Sequence, residues 1–155
     1  MKKKPDQPSA IVNRRARYDY ELGEDLVVGL SLTGREVRSA RLGHVQLKGS
    51  YVNAKSGELW LNNASFSIVN NEKGETNART VDDSPRKLLA KRREIDHLED
   101  AKKQGMTIVP TKLLTSGRYI KLVIALGKGK KNYDKRHALK KRDVSRDIGR
   151  ELKSR

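Results

Sequence analysis

The residues whose types and spacing suggest chemistry are lysines and arginines, and the chemistry that they suggest is the binding of phosphate groups. Residues 127–155 hold twelve Lys and Arg against four Asp and Glu, a net charge of 12 − 4 = +8. The whole chain of 155 residues has a formal net charge of +16, so this short segment carries half of it. Such a segment repels itself in water and is attracted to a dense array of phosphates.

Three rows of side chains repeat at a spacing of four residues in this tail. Because residues four apart stack on one face of an α-helix, the spacing predicts a helix with three different faces. Its apolar face is one residue wide, narrower than a helix usually buries against its own core, and Gly149 lowers the helix propensity by about 1 kcal/mol. We predict a tail that is disordered alone and becomes helical against a partner; a solvated tail without function is the alternative. The rows are basic (Arg142, Arg146, Arg150), acidic (Asp143, Asp147, Glu151) and apolar (Val144, Ile148, Leu152).

The histidines and glycines do not form a metal site or a phosphate-binding loop. His44, His97 and His137 lie in three different predicted elements, and none has a second His or a carboxylate at a spacing typical of metal ligands. The run Gly127-Lys128-Gly129-Lys130 lacks the spacing and the Lys-Ser/Thr ending of a nucleotide-binding loop. The sequence therefore predicts no metal and no cofactor.

The carboxylates also give little support to catalysis. Glu36 could form an acid–base pair with Glu58 or Asp19 only if the fold brought them together. Most acidic residues have basic neighbours, which favours solvated ion pairs. We predict that the protein is not an enzyme and has no catalytic residue.

Composition narrows the class of partner to nucleic acid. With 35% hydrophobic residues, one Trp and one Phe, the core should be small and mostly aliphatic. No apolar run reaches the ~18 residues of a membrane span, so a membrane partner is not expected. The absence of cysteine excludes disulfides and zinc–thiolate sites and is compatible with a reducing cytoplasm. A strongly basic chain of this kind is typical of proteins that bind nucleic acids.

Short runs of alternating apolar residues, separated by turn residues, predict six or seven strands. We expect a mainly β domain: a small, closed, antiparallel β-barrel of the OB type with about three flanking helices. Gly29 indicates a bulge or a close approach of the backbone, and Pro110 an edge or a bulge. The predicted hairpins cover residues 18–32, with a turn at 23–25, and residues 51–62; single strands are predicted at 65–69, 106–114 and 118–126.

Two helices are predicted inside the domain. Residues 34–43 change to a helical period and end at a glycine. Ser84-Pro85 is a helix start, and the helix runs toward residue 105 with Leu88 and Leu89 on its buried side and Arg86 on its exposed side. Residues 70–83 contain few apolar side chains and should form a surface loop. The chain thus divides into a flexible basic leader (1–10), an RNA-binding barrel (11–126) and a basic tail (127–155).

Tyr133 lies within the basic tail without apolar neighbours. An exposed ring in a phosphate-binding segment can stack on a base, a contact worth about 1–3 kcal/mol. An incidental exposed tyrosine fits the spacing equally well.

Blocks of sequence follow one another in the order of a single bacterial family. They begin near Asn13 and continue to the C-terminus, and their succession is more specific than any one block. The blocks are Asn13-Arg14-Arg15-Ala16-Arg17-Tyr18-Asp19-Tyr20, Gly34-x-Glu36-Val37-Arg38-Ser39-x-Arg41-x-Gly43, Ser50-Tyr51, Arg86-Lys87-Leu88-Leu89, Arg93-Glu94-Ile95, Val109-Pro110 and Gly127-Lys128-Gly129-Lys130-Lys131-x-Tyr133-Asp134-Lys135-Arg136. In these blocks the chain resembles the SsrA-binding family (small protein B), the protein partner of transfer-messenger RNA.

The resemblance implies a function as well as a fold. Members of the family bind the tRNA-like domain of transfer-messenger RNA and deliver it to stalled ribosomes for trans-translation. Asn13, Leu89 and Lys121 fall at positions that contact the RNA, whereas Val27 stands where the family usually has an RNA-binding Glu. The tail is expected to enter the empty mRNA channel, with Tyr133 stacking in the decoding centre.

Two sets of binding residues follow from these arguments. The RNA-binding set of the barrel is Asn13, Arg14, Arg15, Arg17, Arg38, Leu89, Lys121, Lys128, Lys130 and Lys131. The ribosome-binding set of the tail is Tyr133, Asp134, Lys135, Arg136, Lys140, Lys141, Arg142, Arg146 and Arg150.

The expected partners are transfer-messenger RNA and the stalled 70S ribosome, through the decoding centre of its 16S rRNA and its mRNA channel. Elongation factor Tu and alanyl-tRNA synthetase would be reached indirectly, through the RNA. We expect a cytoplasmic monomer. Two alternatives remain open: a structural ribosomal protein with a basic rRNA-binding extension, and an RNA-processing enzyme with a basic tail.

Overall fold

The computed structural model describes residues 9–69 and 78–153 of the chain. Within these residues it contains ten strands and four helices, so the prediction of a mainly β domain is confirmed. The elements are β1 (Ala10–Val12), α1 (Arg14–Asp19), β2 (Tyr20–Leu30), α2 (Gly34–Arg41), β3 (Val45–Gln46), β4 (Tyr51–Lys55), β5 (Glu58–Asn62), β6 (Ser65–Val69), β7 (Arg79–Asp82), β8 (Arg86–Leu89), α3 (Arg92–Lys103), β9 (Thr107–Leu114), β10 (Lys121–Gly129) and α4 (Asn132–Lys153).

Six of the strands close into a ring. The larger sheet has the order β1-β9-β10-β2-β8-β5-β4, with antiparallel neighbours, and β4 also pairs with β9 through Val52 and Ile108. The edge of β9 that pairs with β4 at Ile108 pairs with β1 further along the strand, where Lys112 lies opposite Val12. A second sheet, β3-β6-β7, is not hydrogen-bonded to the ring, but its Val45 and Phe66 pack into the same hydrophobic core.

Alternating side chains from the strands fill the core of the domain. On β5, Leu59 and Leu61 are buried while their neighbours are partly exposed, as expected for a strand with one buried face. Phe66 is the one aromatic ring among the largest fully buried side chains of the described residues, and most of the others are aliphatic. This agrees with the aliphatic core that the composition predicts.

Two local predictions are confirmed with their physical causes. The β4–β5 hairpin turns through Ser56 and Gly57, both at positive φ, which matches the twist of the flanking strands. Helix α2 begins at a capping box, in which the Thr33 amide donates to Glu36 and the Glu36 amide donates to the Thr33 hydroxyl. The helix ends before Gly43, which has a φ of 78°.

The predicted hairpin over residues 18–32 is wrong. Residues 20–30 form one strand of eleven residues, and β10 pairs with both halves of it. The turn residues at 23–25 produce a bulge instead, where the register shifts between Asp25 opposite Ala125 and Leu22 opposite Gly127. Before this strand, residues 14–19 form helix α1, although residues 18 and 19 were predicted to begin the hairpin.

The predicted helix start at Ser84 is also wrong. Residues 86–89 form strand β8 between β2 and β5, and the helix begins only at Arg92. Burial alternates along β8, so Arg86 is buried and Leu89 exposed, the reverse of the prediction. Pairing with two distant strands overrides the local N-cap signal, because burial and strand pairing decide between two locally possible conformations.

Three further segments differ from the prediction or lie partly outside the described residues. Strand β7 falls within the surface loop predicted for residues 70–83, of which 70–77 lie outside the described residues. Strand β10 continues to Gly129, beyond the strand predicted for 118–126. Residues 1–8 of the predicted leader are not described, and β1 begins at Ala10.

Candidate nucleic-acid interface

Strand register brings two of the predicted RNA-binding residues into one row. Lys121 of β10 lies opposite Gly29 of β2, and Gly29 lies opposite Leu89 of β8. Directly opposed residues of antiparallel strands present their side chains on the same face, so Lys121 and Leu89 share the outer face of the ring, about 10 Å apart. Both are exposed, and Leu89 is 55% exposed.

Gly29 leaves the space between these two side chains open. A Cβ atom at this position would lie 3.1 Å from the Cβ atom of Leu89, closer than most side-chain contacts in proteins. The close approach expected from Gly29 is therefore confirmed. The result is a row with an ammonium group at one end, an aliphatic side chain at the other and bare backbone between them.

A second row lies beside the first on the same outer face. It runs from Val12 of β1 through Lys112 of β9 and Val123 of β10 to Val27 of β2. Val12, opposite Lys112, is 52% exposed and Val27 is 51% exposed, whereas Val123 between Lys112 and Val27 is buried. Val27 places an apolar side chain beside the Lys121 row, where the resemblance leads one to expect a carboxylate.

Helix α1 carries the arginines at the end of this face. It packs against β9 and β2, with Ala16 buried beneath it. Asn13, just before the helix, is buried, and its Nδ2 donates hydrogen bonds to the carbonyl oxygens of Leu47 (3.1 Å) and Pro110 (2.9 Å). Its backbone amide donates to Thr111. Asn13 thus holds the start of α1 against β9, and its amide nitrogen has no hydrogen left for a ligand.

An open groove of about 1130 Å³ lies between α1 and α4. Leu139 of α4, Tyr18 of α1 and Val12 of β1 supply apolar surface to it. The groove is also strongly cationic, and no carboxylate appears among the described residues that line it. The cationic side chains of the groove are Arg14, Arg15, Arg17, Lys48, Lys112, Arg142 and Arg146.

Contacts with α1 set the position of the tail helix. The Lys130 amide donates to the Asp19 carbonyl, and the Lys130 ammonium donates to the Arg17 carbonyl, both at 2.9 Å. These carbonyls lie in the last turn of α1, where a cation is favoured by the helix dipole. The Asp19 carboxylate accepts from Arg15 at 2.9 Å and lies 3.4 Å from the ammonium of Lys135.

Helix α4 presents the predicted rows of the tail. It has 22 residues and is about 33 Å long at 1.5 Å per residue. Val144, Ile148 and Leu152, the apolar row, are exposed along it, and Tyr133 is exposed in its first turn. Of the predicted tail set, Arg142 and Arg146 line the groove, and Lys135 is partly buried beside Asp19. The members that are exposed and do not line the groove are Asp134, Arg136, Lys140, Lys141 and Arg150.

The remaining predicted residues are spread over the surface. Arg38 is exposed on α2, beside Leu42 and His44, and does not line the α1–α4 groove. Lys128 is exposed near the end of β10, opposite Glu21, and Lys131 is exposed before α4. The structure therefore unites α1 with part of α4 and unites Leu89 with Lys121, but leaves Arg38 separate.

The carboxylates considered for acid–base chemistry are each held by cations. Glu36 is buried and accepts from Arg86 Nε at 2.7 Å. Glu58 accepts from Lys87 at 2.6 Å, and this ammonium lowers the pKa of Glu58. Hydrogen bonds from Ser84 likewise lower the pKa of Asp82. These are ion pairs and hydrogen bonds within the fold.

The described parts of the chain contain neither a metal-binding cluster nor a helix suited to span a membrane. In residues 9–69 and 78–153, no group of three or more His, Asp or Glu side chains is arranged to hold a metal ion. None of the four helices there is both long and apolar enough to cross a membrane.

Sequence reasoning missed Lys48, Lys112 and Val12. Lys112 lies in a strand and Lys48 in a loop, far from any basic run, so charge clustering along the chain does not single them out. The signal that could have found Lys112 is alternation: it lies between Thr111 and Leu113, which are buried on the other face of β9.

The fold and the interface define a small, basic, mainly β protein whose cationic face continues into a helical extension. The family model described as SmpB protein matches residues 10–154. An SsrA-binding protein of Streptococcus pyogenes serotype M3 is 43% identical over 143 residues, covering 91% of this chain and 90% of that protein. One of Ligilactobacillus salivarius is 38% identical over 157 residues, covering 99% and 97%. The chain belongs to the SmpB family.

A solved structure gives the same assignment. A chain from the structure described as "tmRNA-SmpB: a journey to the center of the bacterial ribosome" shares 38% identity with this chain, with a TM-score of 0.61. The similarity covers 81% of this chain and 87% of that one.

Proposed function

We propose that this protein binds the tRNA-like domain of transfer-messenger RNA and delivers it to stalled ribosomes for trans-translation. The observation that carries the proposal is the exposed row formed by Lys121, Gly29 and Leu89 on a chain of the SmpB family. An ammonium group beside an aliphatic side chain and bare backbone suits folded RNA, which proteins recognise largely through phosphates, shape and stacking. The relatives named above, SsrA-binding proteins, support the choice of RNA.

The barrel set of residues would act in different ways. Lys121 and the arginines of α1 would contact phosphates, and Leu89 would pack against a sugar or a base. Asn13 would reach RNA only through its carbonyl oxygen, because its Nδ2 is already bonded to two carbonyls. Its larger contribution would be to position α1. Arg38, Lys128, Lys130 and Lys131 would add phosphate contacts around this centre.

The tail would act on the ribosome. We propose that it is disordered alone, becomes helical in the empty mRNA channel and contacts the decoding centre of 16S rRNA. A helix about 33 Å long, with arginines on one side and an exposed apolar row on another, suits a channel lined by RNA. Tyr133 would stack in the decoding centre, followed by Asp134, Lys135 and Arg136, with the remaining basic residues contacting phosphates further along.

The ring of strands would be an OB-like barrel, with a leader before it and the tail after it. The domain predicted for residues 11–126 would extend to Gly129, because the end of β10 still pairs with β2. The protein would work as a cytoplasmic monomer, where ribosomes are, and would meet elongation factor Tu and alanyl-tRNA synthetase only through the RNA. No catalytic step is required of it.

Recovery of RNA with the tagged protein from its host, followed by sequencing, tests the proposal. We expect one transfer-messenger RNA to dominate, with ribosomal RNA enriched when ribosomes are stalled. Recovery of ribosomal RNA alone, resistant to high-salt washing, would support the structural ribosomal protein instead. Cleavage of structured RNA by the pure protein would support the RNA-processing enzyme.

A further inference from the structure

The α1–α4 groove is a cationic site built from four separate parts of the chain. Arg14 and Arg17 come from α1, Lys48 from the loop after β3, Lys112 from β9, and Arg142 and Arg146 from α4. These residues are far apart in sequence, so the fold alone brings them together. Of the six cations, Arg142 and Arg146 belong to the basic row predicted in the tail. Neither Lys48 nor Lys112 is among the residues that the resemblance implies.

Six of the seven cations that line the groove, all but Arg15, lack a counter-charge in the described residues. Asp19 pairs with Arg15 and Lys135, but within residues 9–69 and 78–153 none of the six cations is within ion-pair distance of a carboxylate. Like charges that face one space repel each other, and the repulsion is relieved when an anion enters. The groove is therefore arranged for an anionic occupant.

The size and shape of the groove favour a polymer over a small molecule. Its volume of about 1130 Å³ lies above the usual range for small-molecule pockets, and it is open to solvent. Lys112 also belongs to the second row, between the exposed Val12 and the buried Val123, beside the row of Lys121 and Leu89. The groove thus continues the outer face of the ring and leads it to the tail helix.

We infer that this groove binds the phosphodiester backbone of an RNA strand, with Lys48 and Lys112 as contacts on the domain side and Arg142 and Arg146 as contacts on the tail side. The inference rests on the proposed function and deepens it, since it makes the domain and the tail share one RNA site. The strand can come from transfer-messenger RNA or from ribosomal RNA, which present the same backbone.

The experiment compares two double variants of the full-length protein with the same change of net charge. The test variant is Lys48→Glu with Lys112→Glu. The control is Lys55→Glu with Lys91→Glu, two exposed lysines that do not line the groove. The affinities of both variants and of the wild type are measured for transfer-messenger RNA and, separately, for stalled ribosomes at several salt concentrations. Circular dichroism and thermal unfolding check that both variants fold.

We expect the test variant to bind one of the two partners more weakly than the control does. If each lysine meets one phosphate, the slope of log K against log salt becomes shallower by about 1.6 for the affected partner, since each phosphate contributes roughly 0.7–0.9. The affected arm identifies the source of the RNA strand. Equal affinities and slopes for the test and control variants with both partners would contradict RNA binding in the groove. The proposed function would remain intact if the wild type binds both partners. Wild type that binds neither would remove the proposed function and this inference with it.

A second measurement keeps the inference testable if Lys112→Glu disturbs β9. A photoreactive amino acid replaces Lys48, which lies in a loop, and the crosslinked partner on stalled ribosomes is identified. Crosslinks to RNA, either transfer-messenger or ribosomal, are expected. Crosslinks only to protein would contradict the inference.

Discussion

Arg86 shows how one side chain can join several parts of this fold. It is 4% exposed, its Nε donates to Glu36 at 2.7 Å, and its guanidinium lies over the ring of Phe66 at 4.0 Å. Its other nitrogens donate to the carbonyl oxygens of Ala64, Ser84 and Asp82. Glu36 also caps α2, so the ion pair connects the helix to β8 and to the smaller sheet.

Arg86→Met should lower the free energy of unfolding by about 3–5 kcal/mol, because it leaves the Glu36 carboxylate buried without its partner. The matched control is Lys87→Met, which breaks the exposed pair with Glu58 and should cost about 0–1 kcal/mol. Urea denaturation of both variants measures the difference. Similar losses for the two would show that burial of the pair is not what makes Arg86 important.

Gly29→Ala tests the exposed row between Lys121 and Leu89. The new methyl group would lie 3.1 Å from the Cβ atom of Leu89 and would stand in the open space of the row. We expect a loss of about 1 kcal/mol in unfolding free energy from overpacking, together with several-fold weaker binding of transfer-messenger RNA. Gly34→Ala is the control: it meets no atom within 4 Å and should be neutral or stabilising. Unchanged RNA affinity for Gly29→Ala would argue that the row is not in the interface.

At the level of elements, α1 and α4 together decide where the tail begins. The six residues of α1 are short for a stable helix, and they are held by Asn13 at one end and by Lys130 at the other. The apolar row of α4 is exposed, so the far part of that helix gains little from packing on the domain. The proposed binding to RNA would supply the contacts that this part of the helix lacks.

Ile148→Pro should abolish tagging of stalled chains while leaving the affinity for transfer-messenger RNA unchanged. Proline in a helix interior costs about 3 kcal/mol, and this site lies in the last two turns of α4, away from the ring. Ile148→Ala, which keeps the helix and removes only the apolar side chain, separates the two causes. Full tagging activity of the proline variant would mean that the helix is not needed there.

At the scale of the whole molecule, the ring and the tail are joined through strand β10. Its last residues, Gly127 to Gly129, still pair with β2, opposite Leu22 to Tyr20. A cut at Leu126 would therefore remove part of the sheet, and the useful boundary for separating the two parts lies after Lys131.

Truncation after Lys131 should leave binding to transfer-messenger RNA within a few-fold of the wild type and abolish tagging. The reason is that the exposed rows on the ring remain, whereas every residue of α4 is lost. Gel-shift affinity and an in vitro tagging assay measure the two effects on the same preparation. A large loss of affinity would contradict the division of work between domain and tail, and would point instead to the groove shared by α1 and α4.

The sequence by itself determined the features that depend on neighbours a few residues away. These are the two-residue turn at Ser56 and Gly57, the capping box of Thr33 and Glu36, and the spacing of four along α4. Each is set by hydrogen bonds or side-chain stacking within one turn of chain. The concentration of charge and the family resemblance were also readable in the sequence, since neither requires coordinates.

The tertiary structure alone decided the features that depend on distant partners. Arg86 and Glu36 are 50 residues apart, and Asn13 and the Pro110 carbonyl are 97 apart. Pairing with β2 and β5 turns a segment with a helix-start signal into strand β8, and pairing with β10 turns a predicted hairpin into one long strand. The same long-range pairing brings Lys112 to the arginines of α1 and α4. At such sites local propensity contributes less to stability than burial and sheet pairing do. Burial and sheet pairing arise only when the ring of strands closes.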